Sequence, residues 1–155
     1  MTLPIREQII RALAARVGAS RRLASYDERD LPITVLQEGD DNRADGLYGM
    51  TNVTMSVSVA RAIRMEGVKS DAWYTALNDA LATLITEVFT AGEDESEDLR
   101  FELEYASGSV DLLTDGGVGA GVAVTVNVRY AFVHGNPYSQ NADAEFSDLT
   151  EEEET

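Results

Sequence analysis

The stretch at residues 122–133, VAVTVNVRYAFV, decides the fold of this chain. Every even position holds valine, tyrosine or phenylalanine, and most odd positions hold a smaller or more polar residue. Because side chains alternate between the two faces of a strand, this pattern predicts a long β-strand with one apolar face. Its backbone N–H and C=O groups need partners, so we expect the rest of the chain to supply a sheet and a covering layer.

Five further segments show a clear periodicity. Apolar residues at helical spacing predict two helices. The first covers residues 3–17, with Thr2 as its N-cap and Gly18 as its stop. The second begins with Ser70 or Asp71 as its N-cap and runs to about residue 91. Three segments show strand patterns, at residues 31–36, 51–65 and 99–105. The order α-β-β-α-β-β predicts an α+β fold, a mostly antiparallel four-stranded sheet with two helices packed on one face.

The segments between these elements are expected to be loops. Residues 37–49 form an acidic loop, residues 92–98 a charge run, and residues 107–121 a glycine-rich connection. We expect residues 1–138 to form one domain. Residues 139–155 contain seven carboxylates and no basic residue, which is typical of a flexible acidic tail.

Composition excludes several classes of function. The net charge of −16 argues against a general nucleic-acid binder, which needs a basic face. The chain has no cysteine, so disulfides and thiolate chemistry are absent. The N-terminal residues lack the apolar core of a signal peptide, and no apolar run approaches the length of a membrane span, so we expect a soluble intracellular product.

No motif in the sequence indicates catalysis, a cofactor or a metal. The single histidine, His134, lies beside Gly135-Asn136-Pro137, where a turn needs polar residues. The loop at residues 40–46 lacks the ligand register of a calcium loop. The glycines at 117, 119 and 121 open a strand, whereas a dinucleotide fingerprint opens a helix. We therefore expect no catalytic residue, no cofactor and no metal.

Two predicted surfaces carry unusually little charge for so acidic a chain. One face of the strand at 51–65 holds Thr54, Ser56 and Ser58 followed by alanines, and the outer side of the second helix is rich in threonine and alanine. A solvated face would normally carry charges, so these surfaces are expected to meet another molecule, although a threonine-rich surface helix is an equally simple interpretation. The face of strand 122–133 with Arg129 also lacks a covering element, and we expect Arg129 to meet an acidic neighbour.

Taken in order, the segments resemble the tail terminator proteins of long-tailed, lambda-like bacteriophages, which are also called minor tail or tail-completion proteins. The resemblance covers most of residues 1–138. It includes REQIIRALAARV, DLPITVLQEGDD, TNVTMSVSVA, SDAWYTALNDALATLI, LRFELEY, and VAVTVNVRYAF followed by Gly135-Asn136-Pro137. The order and spacing of these segments carry the likeness, which leaves out the acidic tail.

The resemblance implies a structural virion protein at the head-proximal end of the tail, assembled in the host cytoplasm. In that family a homohexameric ring caps the tail tube, ends its polymerisation and provides the joining surface for the head-tail connector, or head-closure protein, while DNA passes through the lumen. A head-to-tail ring needs two different complementary patches on each subunit. The residues expected to supply them are Arg6, Arg16, Arg21, Arg22, Thr54, Ser56, Ser58, Arg61, Thr75, Thr83 and Arg129.

Three alternatives remain open at this point. The chain could be another ring of the same apparatus, a head-closure (neck) or tail-tube protein. It could be a small hydrolase that uses His134 with neighbouring carboxylates. It could also be an acidic adaptor or DNA mimic, for which the tail from Asp143 to Glu154 would be the active part.

Overall fold

The computed structural model describes residues 2–21, 31–44, 49–65, 68–112 and 119–141. The elements are α1 (Ile5–Val17), β1 (Ile33–Ala44), β2 (Met50–Arg64), α2 (Trp73–Phe89), β3 (Glu102–Leu112) and β4 (Gly119–Val133). A short 3₁₀ turn, Ser70–Ala72, leads into α2. The predicted order α-β-β-α-β-β and the α+β class are confirmed.

The four strands form one sheet in the order β1-β2-β4-β3, and every strand pair is antiparallel. The opening segment lies in β4, which pairs with β2 over its full length, from Met50 opposite Val133 to Arg64 opposite Gly119. β3 completes the other side of β4. The segment around residues 122–133 therefore occupies a central strand, with partners on both sides.

Both helices cover the same face of the sheet. The buried face of β2 carries Val53, Met55, Val57 and Val59, which lie opposite even-numbered residues of β4 in the register. The buried apolar residues of α1 and α2 join these side chains in one core cluster. They are Ile5, Ile9, Ile10, Leu13, Val17, Leu77, Leu84 and Val88.

The helix boundaries differ from the sequence predictions at their N-termini. α1 begins at Ile5, after Pro4, and no side chain caps it, so the expected cap by Thr2 is wrong. Its first N–H, that of Ile5, instead donates to the carbonyl of Pro137 at 2.9 Å. The predicted stop at Gly18 is confirmed, since Gly18 adopts the left-handed conformation with φ of 64°. α2 likewise begins without a side-chain cap, at Trp73.

Three strands are longer than the sequence suggested. β1 continues through the acidic stretch to Ala44, so most of the loop expected at 37–49 is strand, with a register shift between Glu38 and Asp41. β3 begins later than predicted and extends to Leu112, and β4 begins at Gly119. The expected glycine-rich connection is therefore reduced to residues 113–118, which lie outside the described part of the chain. In each case pairing with a neighbouring strand overrides unfavourable local composition.

Ser139 and Gln140, just after the predicted boundary at residue 138, hydrogen-bond to the rest of the described chain. The N–H of Val133 donates to the carbonyl of Ser139 at 2.8 Å. The side-chain amide of Gln140 donates to the carbonyls of Ala131 and Arg100 at 2.9 and 2.8 Å, which fastens this segment to β4 and to the residues before β3. The rest of the predicted acidic tail, residues 142–155, lies outside the described residues.

Candidate interaction surfaces

The sheet has one face that no helix covers within the described residues, which we call the open face. It carries the even-numbered side chains of β2 and the odd-numbered side chains of β4. The cross-strand pairs in its centre are Thr54 with Arg129, Ser56 with Asn127, Ser58 with Thr125, Ala60 with Ala123, and Ala62 with Gly121. The three predicted residues Thr54, Ser56 and Ser58 therefore lie on the same face of the sheet as Arg129.

The centre of the open face is small and neutral, and two of its hydroxyls satisfy each other. The hydroxyls of Ser58 and Thr125 hydrogen-bond to each other across the strands at 2.9 Å. Beyond them the pair Ala60 and Ala123 adds no polar side-chain group. When water is removed, a hydroxyl that already has a hydrogen-bond partner in the protein loses less free energy than a hydroxyl that is bonded only to water. Covering this part of the sheet with another protein surface would therefore cost little desolvation energy.

Arg129 lies at one end of the open face and is paired within its own chain. Its Nη2 donates to Glu104 Oε2 on β3 at 2.6 Å. Both side chains are more than half exposed, at 59% and 56%. The expected acidic neighbour of Arg129 therefore exists in this structure, but it belongs to the adjacent strand of the same subunit. An exposed pair of this kind contributes about 0–1 kcal/mol to stability.

The outer side of α2 is the second predicted surface, and it faces away from the sheet. The hydroxyls of Thr83 and Thr86 donate to carbonyls one turn earlier in the same helix, at 3.0 and 2.9 Å. Such bonds satisfy the hydroxyl on the helix's own backbone. The surface also contains Tyr74 and Phe89, which are 60% and 41% exposed. Thr75, the other predicted residue on α2, is exposed as well.

Arg6 and Arg21 belong to an ion-pair network that joins α1 to β1. Arg6 bonds to the carboxylates of Glu38 and Asp41, the latter at 3.0 Å through Nε. Arg21 bridges Glu7 and Glu38 at 2.6 and 2.7 Å. Partial burial alone would raise the pKa of Glu38, but the hydrogen bonds from both arginines outweigh it and the pKa is lowered. The bond from Arg21 is the main reason that the pKa of Glu7 is lowered too.

Arg16 lies between α1, α2 and the segment after α2. Its Nη2 donates to Glu95 at 2.9 Å and its Nη1 to the carbonyl of Val88 at 2.7 Å. The guanidinium lies over the ring of Phe101, 5.1 Å from its centroid. With only 8% of its side chain exposed, Arg16 is part of the interior packing, and its hydrogen bond lowers the pKa of Glu95.

Arg61 makes a similar contact at the same, C-terminal end of α1. Its Nε donates to Thr34 at 2.7 Å and its Nη2 to the carbonyl of Val17 at 3.0 Å, and it also pairs with Glu87 on α2. Only 15% of its side chain is exposed. Arg61 therefore ties β1, α1 and α2 together.

Five predicted interface arginines thus have carboxylate partners inside the subunit, and Arg22 lies outside the described residues. Arg11 bonds to Glu7 at 2.8 Å, as an i, i+4 pair on α1. Among these described ion pairs, it is the one that sequence spacing alone could indicate. The remaining pairs join residues far apart in sequence, so no local signal pointed to them. That these arginines also contact other subunits stays a prediction. Inside the subunit, they join separate elements through these ion pairs.

A groove of about 630 Å³ lies at the Arg129 end of the open face. Its lining includes Met50, Arg100, Glu102, Arg129 and Gln140. Sequence analysis did not single out Arg100, Met50 or Gln140. No carboxylate contacts the Arg100 guanidinium among the residues that the structure describes. The groove therefore combines apolar surface with a cation that is available to an anionic group.

His134 has no arrangement around it that indicates catalysis. Its ring Nδ1 lies 3.1 Å from the hydroxyl of Thr51, its side chain is exposed, and its N–H donates to the carbonyl of Gly49. Within the described ranges, no three histidine, aspartate or glutamate side chains are grouped so that they could hold a metal ion. No helix in the described part of the chain is long and apolar enough to cross a membrane.

Comparison with known proteins gives no independent assignment. No protein-family model matches this chain, and no curated protein matches it at a significant level.

Proposed function

We propose that this chain is a structural protein of a long-tailed bacteriophage, a tail terminator that assembles into a homohexameric ring on the tail tube. In this role it ends tube polymerisation and offers its other side to the head-closure protein, while DNA passes through the lumen. The proposal rests on the resemblance in the order and spacing of segments over residues 1–138, together with the nature of the open face.

The open face is the observation that carries the proposal. A subunit with a net charge of −16 has only one charged side chain, Arg129, among the ten central open-face positions of β2 and β4 described above. The hydroxyls of Ser58 and Thr125 in its centre are paired with each other across the strands. Interfaces that stay assembled bury surfaces whose centre is depleted in charge. This face has that character, and the strongly charged surfaces of the molecule do not.

The second surface supports a closed ring rather than a two-fold dimer. The outer side of α2 lies on the helical layer, away from the open face, and presents Tyr74, Phe89 and threonines whose hydroxyls are bonded to their own helix. A ring forms when one patch meets a different patch on the next copy. Two low-charge surfaces on different sides of the subunit meet this requirement.

The acidic character suits a channel for DNA. Like charges repel, so carboxylates facing a lumen allow a DNA duplex to pass without adhering. The exposed acidic residue Asp40 of β1 is available for such a lining.

Growth of tail tubes in the presence of the protein tests the proposal. Purified tube protein that polymerises alone should give long tubes of widely distributed length. Addition of this protein during growth should shorten the tubes in proportion to the amount added, as electron microscopy would measure. Albumin at the same concentration is the control for non-specific effects.

Two outcomes of the same assay would count against the proposal. Tube lengths that are unchanged at a large excess of the protein would exclude a terminator. Polymerisation of the protein itself into long cylinders would instead identify it as a tube protein, the nearest rival within the same apparatus.

A further inference from the structure

We infer that residues 133–140 form a strap that couples the groove on the open face to the first turn of α1, so that a change at either end alters the other. The strap is the segment that leaves β4 and turns back towards it. It contacts α1 through Pro137 and ends at Gln140, in the lining of the groove. All of these contacts lie within one subunit.

The strap is closed by its own hydrogen bonds. The N–H of Asn136 donates to the carbonyl of Val133 at 2.7 Å, and the N–H of Val133 donates in turn to the carbonyl of Ser139 at 2.8 Å. The N–H of Tyr138 donates to Asn136 Oδ1 at 3.1 Å. Because these bonds close the segment into one compact loop, its parts move together unless the bonds break.

Gln140 fastens the strap to the groove. Its side-chain amide donates to the carbonyls of Arg100 and Ala131 at 2.8 and 2.9 Å, and its Oε1 accepts from the N–H of Arg100 at 2.9 Å. The ladder between β3 and β4 ends at the pair of Glu102 and Arg129. Arg100 and Ala131 lie two positions beyond this pair, so the side chain of Gln140 bridges the two chains where their backbone ladder stops. All three residues line the groove.

Pro137 fastens the strap to α1. Its carbonyl accepts the N–H of Ile5 at 2.9 Å. Ile5 is the first residue of the helix, and no side chain caps it. The first N–H groups of a helix have no acceptor within the helix, so the strap supplies one. Arg6 still bonds to Asp41 of β1, so release of the strap should free the Ile5 amide without detaching α1.

One consequence for assembly rests on the proposed function. The groove lies at one end of the open face, so a neighbouring subunit that covered this face would also hold Gln140 in place. Assembly would then stabilise the first turn of α1, on the other side of the sheet. The coupling itself is measured on the single subunit, so its failure and the failure of tube capping are separate results.

Hydrogen exchange at single amides of the full-length protein tests the coupling. Gln140→Ala removes the bonds to the groove and leaves the groups that join Pro137 to Ile5 in place. The exchange rate of the Ile5 amide, measured by nuclear magnetic resonance, should nevertheless rise about two- to tenfold, the effect of losing one typical hydrogen bond. The amide of Leu13, later in α1, should keep its rate. An unchanged rate at Ile5 would overturn the inference.

A second glutamine supplies the matched control. Gln37 is exposed on β1 and lies outside both the strap and the groove lining. Gln37→Ala should leave the exchange rates at Ile5 and Arg100 as they are in the parent protein. If Gln37→Ala raised the rate at Ile5 as much as Gln140→Ala, the effect would not be specific to the strap, and the inference would fail.

The reverse experiment changes the α1 end and measures the groove end, because coupling is reciprocal. Ile5→Pro deletes the N–H that binds Pro137. Proline is tolerated at the first position of a helix, and Pro4 before it is extended, with ψ of 150°. Ile5→Ala is the control, since it also loses the buried side chain but keeps the N–H. The Arg100 amide should exchange about two- to tenfold faster in Ile5→Pro than in Ile5→Ala, and equal rates would contradict the coupling.

Discussion

Ala60→Glu tests the open face as a contact between subunits. Ala60 lies in the centre of β2, opposite Ala123 of β4 and Val35 of β1, and it is exposed in the single chain. The substitution removes no hydrogen bond. Alanine and glutamate are both disfavoured in strands, so the isolated subunit should change in stability by no more than about 0.5 kcal/mol.

In an assembled ring the same carboxylate would be buried without a partner. The nearest positive charge on the open-face side of β2 and β4 is Arg64, four residues from Ala60 along β2. This separation is about 14 Å at 3.4 Å per residue, beyond the Debye length of about 8 Å at physiological ionic strength. A buried, unpaired carboxylate costs about 3 kcal/mol or more. Each contact should therefore weaken by a factor of about 150, since 1.36 kcal/mol corresponds to a factor of ten.

The assay measures folding and assembly separately. Thermal unfolding reports the stability of the subunit, and sedimentation with tail tubes reports assembly. Ala15→Glu, the same exchange at an exposed position on α1 outside both proposed contact surfaces, is the matched control because it changes the net charge equally. Ala60→Glu should unfold like the parent protein but fail to assemble, and Ala15→Glu should do both normally. If Ala60→Glu assembled as well as the parent, the open face would not be the interface.

Three further predictions concern the subunit. Leu84→Ala, in the fully buried centre of α2, should lower the free energy of unfolding by about 2–5 kcal/mol in urea titrations, and a smaller loss would contradict its place in the core. Arg61→Ala should lower the free energy of unfolding by about 1–3 kcal/mol, because it leaves buried acceptors without a donor. Arg129→Ala, which removes an exposed ion pair, should lower it by less than about 1 kcal/mol. Equal losses in the two variants would refute this distinction. Because the folded-state pKa of Glu38 is lowered from 4.5, its contribution to stability should be complete above that pH and decline as the pH falls through the folded value. Glu38→Gln should make unfolding less dependent on pH in this range, and an unchanged pH profile would contradict the ion pair.

The sequence predicted the central architecture because its strongest patterns coincide with the core. The alternation in residues 122–133 follows the burial of β4, in which every even-numbered residue from Val122 to Tyr130 is buried. The spacing in α1 predicted its buried residues in the same way. Where one face of a helix or strand is buried, the spacing of its apolar residues in the sequence matches the periodicity of that helix or strand.

The edges of the sheet were predicted poorly for a physical reason. The part of β1 after Glu38 has the composition of a loop because it is acidic and contains Gly39, yet it pairs with β2 to Ala44. Gly39 lies so close to β2 that a Cβ there would approach the carbonyl oxygen of Ser56 to 2.7 Å. An edge strand faces solvent and tolerates charge, so the alternation that marks a central strand is absent.

The arginines show the limit of sequence reasoning about the candidate site. Arg6 and Arg16 were expected to supply contacts between subunits, and each binds a carboxylate of its own chain, Glu38 and Glu95. These partners are brought together only by the packing of α1 on the sheet and α2. The groove around Arg100 is also assembled from separate strands, so its residues carry no recognisable spacing.

Electron microscopy of the purified protein incubated with preformed tail tubes tests the central claim most directly. A tail terminator should appear as closed six-fold rings bound at one end of each tube, with no growth beyond them. Bare tube ends together with monomeric protein at every concentration, or continuous cylinders of the protein itself, would contradict the account.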